Sequence, residues 1–168
     1  MTESNQSSNS DVTRRQFVRT SSATLGVAAL TTPAMGWIQG SDTIKVGLIG
    51  CGGRGTGAAG QAMRADSGVQ LWAMGDAFDD RLTSSHGYLV DGHGEQVQVD
   101  PERKFVGFDA FQKVIDSGVD VVILTTPPHF RPEHFKYAVD NQKHVFMEKP
   151  MAVDGTGVRS VIADAQRA

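Results

Sequence analysis

From residue 43 onward, apolar runs alternate with segments in which apolar positions recur every three or four residues. Ile44-Lys45-Val46-Gly47-Leu48-Ile49 reads as a first strand and Val69-Gln70-Leu71-Trp72-Ala73-Met74 as a second. A brief third strand is predicted at 104–106, a fourth, almost continuously apolar, at 119–125, and a fifth at 144–147. Between them the pattern predicts helices at 54–65, 79–85, 110–116 and 132–141, and a last one from about 156 to the end. Near-continuous apolar strands separated by helices belong to a parallel sheet buried on both faces. The fold class is therefore α/β, a doubly wound parallel sheet. Residues 87–103 stand apart as a polar stretch of weak periodicity and are read as a solvated loop. Within it, Asp91-Gly92-His93-Gly94-Glu95 brings acidic and His residues together, but the spacing matches no metal motif, and no metal site is assigned.

Residues 1–40 do not share this pattern and are set apart from a single domain at 41–168. A polar stretch rich in Ser and Asn leads to Thr13-Arg14-Arg15-Gln16-Phe17-Val18. The mildly apolar run Ala23-Thr24-Leu25-Gly26-Val27-Ala28-Ala29-Leu30 follows. The order of polar region, paired arginines and weak apolar run resembles a twin-arginine export signal. Delivery outside the cytoplasm, to the periplasm or its equivalent, is the expectation, and cell fractionation tests it. The run is shorter than the ~20 residues of a membrane span, so no permanent transmembrane helix is expected.

Composition narrows the function classes. The chain has 168 residues and a formal net charge of −3, with no basic stripe, which argues against a nucleic-acid partner. A single cysteine, Cys51, excludes an internal disulfide and reads as a small residue that fits its turn. Many of the 19 glycines cluster between Gly47 and Gly60, and there they carry a motif.

Gly50-Cys51-Gly52-Gly53-Arg54-Gly55 fits G-x-G-x-x-G, directly after a strand and directly before a helix. The first glycine permits the tight turn, the second lets backbone approach a pyrophosphate, and the third brings helix and strand together. The helix amino terminus adds free N–H groups and a partial positive charge toward the phosphates. Asp76 follows Gly55 by 21 residues at the end of the second strand, placed to accept hydrogen bonds from the ribose hydroxyls. The same carboxylate would repel a 2′-phosphate, which favours NAD over NADP. Arg81 is read as a surface helix residue. Thr125-Thr126-Pro127-Pro128-His129 closes the fourth strand beside the expected nicotinamide position. His129 is placed either to touch nicotinamide or substrate or to cap the next helix, and His134 is read as a helix-surface or interface residue. After the fifth strand come Glu148, Lys149 and Pro150. Ligands of open α/β sheets sit outside the carboxyl ends of the strands, so Lys149 is placed to take a proton from a substrate hydroxyl. Burial beside a cofactor would favour its neutral, basic form, whereas pairing with Glu148 would keep it charged. The Lys149–Pro150 bond is a candidate for the cis form.

Together, the glycine turn, Asp76, Thr126-Pro127-Pro128-His129 and Glu148-Lys149-Pro150 resemble the Gfo/Idh/MocA oxidoreductases, over roughly residues 43–168. The resemblance implies a Rossmann domain that binds NAD through Gly50, Gly52, Gly53, Arg54, Gly55, Asp76, Thr126, Pro127, His129, Glu148 and Lys149. Lys149 would also be catalytic. It implies hydride transfer from a hydroxyl of a sugar, polyol or related compound. It further implies a second α+β domain that completes the substrate pocket and carries homo-oligomer contacts. The chain ends inside the helix after Glu148-Lys149-Pro150, so the expectation is an incomplete Rossmann sheet without that second domain, inactive by itself. Two alternatives stand beside the dehydrogenase: a redox-neutral glycosidase with retained NAD, implied by the same resemblance, and a non-enzymatic NAD-binding regulator or remnant.

Overall fold

The computed structural model describes residues 43–168. The paired arginines and the apolar run after them lie outside the described residues. Five strands, β1 (Ile44–Ile49), β2 (Val69–Asp76), β3 (Lys104–Val106), β4 (Val121–Leu124) and β5 (His144–Met147), form one sheet in the order β3-β2-β1-β4-β5. Every pairing is parallel, with Val46 opposite Leu71 on one side of β1 and Leu48 opposite Ile123 on the other. The helices are α1 (Gly53–Ala65), α2 (Asp79–His93), α3 (Ala110–Asp116), α4 (Arg131–Asp140) and α5 (Gly155–Ala165). The doubly wound reading is thus the observed architecture.

Strand alternation sorts the core into two layers. Val46 and Leu48 of β1 point to the side where Ala58, Ala59 and Met63 of α1 meet Leu82 and Leu89 of α2. Ile49 points to the other side, against Phe111, Val114 and Ile115 of α3 and Ala138 of α4. The chain leaves β1 toward β2 on one side and arrives at β4 on the other. The ends of β1 and β4 therefore flank the crevice of a topological switch point. Beyond β4 the first layer thins out. Phe146 of β5 remains 48 % exposed, beside a shallow apolar groove lined by Ala58, Ala62, Val121 and Ile123. No helix among the described residues is long and apolar enough to cross a membrane.

The predicted loop at 87–103 is the main correction. α2 continues through most of it, to His93, and the 3₁₀ turns Gly94–Gln96 and Pro101–Arg103 follow. Leu82, Ser85 and Leu89 repeat at helical spacing and are buried, so core contact carries the helix past Gly87 and Gly92. Those glycines cost a helix roughly 1 kcal/mol each relative to Ala, less than burying a leucine returns. After the helix, Val97 bridges Leu71, Val99 is buried, and the Gln96 amide donates to the carbonyls of Met63, Asp66 and Val69. β2 also runs beyond Met74, pairing Gly75 and Asp76 with Phe105 and Val106 of β3. Leu89→Ala is expected to cost about 2–5 kcal/mol in urea unfolding, as for a core leucine. A change within about 0.5 kcal/mol, usual for a surface position, would return the segment to a solvated loop.

Candidate dinucleotide site

The glycine turn owes its shape to close approach. Gly50 has φ +96°, and a Cβ there would lie 2.7 Å from the Thr126 nitrogen. A Cβ on Gly55 would lie 1.9 Å from the Gly50 carbonyl oxygen and 2.5 Å from Thr125 Oγ1. The Thr125 hydroxyl meanwhile donates to the Gly50 carbonyl at 2.6 Å, lacing the end of β4 to the turn. Gly52 is different: a Cβ there would meet nothing within 4 Å, and Gly52 lines the cleft above the turn. No side chain caps α1 at Gly52, so its first-turn N–H groups remain available to an anion.

Asp76 closes the other side of the turn. Its Oδ2 accepts from the Cys51 N–H at 2.6 Å and its Oδ1 from the Phe78 N–H at 3.0 Å. A carboxylate offers about four lone-pair positions, so acceptors remain for ribose hydroxyls. The Cys51 thiol is buried against this carboxylate, and burial first, then Asp76, pushes its pKa up. It is held as an unreactive thiol, in line with the small-residue reading.

The cleft has a volume of about 580 Å³ and runs from Gly50, Gly52 and Asp76 to Thr126, Pro127 and His134. That volume lies within the usual range of small-molecule sites. Phe78 and Phe108, 61 % and 75 % exposed, line it as well. Arg81, read from sequence as a surface residue, is exposed but also lines the cleft. His134 corrects its reading more fully. Its ring is buried, stacked on Phe111 with centroids 4.1 Å apart, and its Nδ1 lies 3.2 Å from Thr126 Oγ1. Burial lowers its pKa to about 4. The aromatic wall of Phe111, Phe130 and His134 was missed because nothing in the sequence pairs the helices that supply it.

The β5 turn is held apart from this cleft. Lys149 is exposed, does not line the cleft, and joins Pro150 through a cis bond. The described residues do not supply the burial expected of it. Nor does Glu148 pair with Lys149: its carboxylate takes the Arg54 guanidinium across the mouth of the glycine turn. That contact, foremost, lowers the Glu148 pKa. Arg54, counted among the cofactor residues, thus bridges α1 to the β5 turn. His129 is exposed and edge-on to Phe130 at 5.2 Å; no side chain caps α4, so the capping alternative fails.

A strand–glycine turn–helix unit with an open, uncapped amino terminus and an acid at the next strand end defines a dinucleotide-binding domain of the doubly wound class. The chain belongs to the Gfo/Idh/MocA family, described as an oxidoreductase family with an NAD-binding Rossmann fold, which it matches over residues 44–168. A glycosyl hydrolase family 109 protein of Saccharopolyspora erythraea is 31 % identical over 157 residues, covering 82 % of this chain and 33 % of the relative. The scyllo-inositol 2-dehydrogenase (NADP(+)) of Bacillus subtilis is 30 % identical over 110 residues, 66 % of this chain and 26 % of that protein. The structure of Lactobacillus casei scyllo-inositol dehydrogenase with bound NAD(H) and scyllo-inositol superposes with a TM-score of 0.60. That match has 24 % identity and covers 74 % of this chain and 34 % of the other. The chain thus spans about a third of the length of these proteins.

The buried, neutral His134 carries a pH signature. Its folded pKa lies below the unfolded value, so the unfolded chain binds the proton first as pH falls, and stability drops between 6.5 and about 4. The loss across that window is expected to be roughly 3 kcal/mol. Urea unfolding at about pH 7 and about pH 4.5 should show this component in the wild type and not in His134→Phe. An equal pH dependence in both proteins would mean that His134 is not held neutral.

Proposed function

We propose that this chain is the cofactor-binding part of an NAD-dependent dehydrogenase that oxidises a hydroxyl group of a sugar, polyol or related compound. One observation carries the reading: the cradle of Gly50, Gly52 and Asp76 is tied to the Lys149 turn through the Arg54–Glu148 ion pair. Bound NAD would supply the hydride acceptor. The N–H groups at the start of α1 bind the pyrophosphate, and Asp76 orients the adenosine ribose. Thr126 and Pro127 flank the nicotinamide end. Lys149 takes the hydroxyl proton as the adjacent carbon loses its hydride, so no charged alcohol has to form first. The sugar-like substrate class is supported by the inositol dehydrogenases among the relatives.

A second reading rests on the glycosyl hydrolase family 109 relatives. In it the same residues would serve a transient oxidation that is later reversed, with no net redox change. Net accumulation of NADH on turnover belongs to the dehydrogenase alone.

NAD is expected to bind more tightly than NADP, because Asp76 repels a 2′-phosphate; Arg81, on the same cleft, opposes that repulsion and limits the preference. Asp76→Ser should narrow the gap in titrations with both cofactors, and equal affinities in the wild type would refute the assignment of Asp76. In the enzyme, Lys149→Ala is expected to lower turnover by ~10²–10⁴ while leaving NAD affinity largely unchanged. Near-normal turnover would make Lys149 structural and remove the proposed mechanism.

A further inference from the structure

Arg131, at the start of α4, is only 6 % exposed, and among the described residues no carboxylate lies within ion-pair distance of it. A buried guanidinium is costly unless its donors are used. Here they are spent on main-chain carbonyls of two separate turns. Nε donates to the Thr126 carbonyl at 2.6 Å, on the turn after β4. Nη1 donates to the carbonyl of Glu148 and, at 2.6 Å, to that of Pro150, on the turn after β5. The carbonyls on either side of Lys149 therefore converge on one nitrogen. Burial lowers the Arg131 pKa, and the Glu148 carboxylate opposes that shift.

The two turns carry different parts of the site. Thr126 lines the cleft, and its hydroxyl is held by His134 while its carbonyl is held by Arg131. Glu148 is likewise held twice, by Arg54 at its carboxylate and by Arg131 at its carbonyl. A planar guanidinium presents donors in a fixed fork, so it can set the spacing of two turns that no strand pairing sets.

We propose that Arg131 is a positioning residue: it fixes the turn bearing Lys149 against the turn bearing Thr126. A dinucleotide reaching across the ends of β4 and β5 then meets both in one arrangement. The inference rests on the dinucleotide reading above. It concerns only the nicotinamide half: Arg131 lines the cleft, but its hydrogen bonds among the described residues go to the Thr126, Glu148 and Pro150 carbonyls and none to Gly50, Gly52 or Asp76.

The test titrates the full chain with NADH and with ADP, following the emission of the reduced nicotinamide and the thermal transition. The wild type should bind both ligands, with enhanced NADH emission from an immobilised ring. Arg131→Met should bind ADP as the wild type does. Its NADH affinity should fall by about tenfold or more, as expected when charge-assisted hydrogen bonds no longer fix the turns, and the emission enhancement should disappear. Arg131→Lys keeps the charge but lacks the fork, so it should resemble Arg131→Met and guards against a Met variant that fails to fold. Full rescue by Lys, unchanged NADH emission in Arg131→Met, or equal loss of ADP and NADH in a folded variant would each overturn the positioning role. A wild type that binds neither ligand would overturn the dinucleotide reading itself.

Discussion

The site depends on how closely α1 can approach the ends of β1 and β4. The Gly50 carbonyl lies so near Gly55 that a single added methyl group at residue 55 would sit 1.9 Å from it. That contact lets the helix start directly above the strand end, where its free N–H groups face the crevice. Thr125 uses the same gap from the β4 side, donating to the carbonyls of Gly50 and Ile49. Asp76 closes it from the β2 side through the Cys51 N–H. Three strand ends thus meet on one turn, and the space left open is at Gly52.

A second set of contacts extends this cradle toward β5, and it is made of charge rather than close packing. Arg54 reaches from α1 to the Glu148 carboxylate, and Arg131 reaches from α4 to the Glu148, Pro150 and Thr126 carbonyls. β5 is one of two edge strands and, among the described residues, pairs only with β4, so no second strand there steadies its terminal turn. Guanidinium donors do that instead. The exposed position of Lys149 follows from this geometry: the main chain on both sides of it is drawn toward Arg131.

Much of this was legible in the residues taken singly or in short windows. β1, α3, β3 and β5 were predicted with the bounds observed, because apolar periodicity and turn residues are local signals. The glycine turn and Asp76 were legible for the same reason, since each role is set by spacing along the chain. α2 is cut short in the sequence reading because 87–103 is polar and weakly periodic, while the burial that extends the helix comes from β1, β2 and α1. His134 reads as a helix-surface or interface residue from sequence, and its burial within the domain is not legible because its partners Phe111 and Thr126 lie on other elements.

The sequence by itself determined the class of fold, the dinucleotide cradle and the identity of the residues at each strand end. These follow from steric rules within a few residues: which backbone angles glycine allows, where a strand must stop, where a helix can begin. Only the tertiary structure decided which charges meet. Arg54 and Glu148 are 94 residues apart in the chain, and Arg131 and Pro150 are 19 apart. Such pairs form because the sheet order sets their turns side by side. Glu148 could meet either its neighbour Lys149 or a distant arginine by composition alone, and the packing of α1 against the sheet selected the arginine.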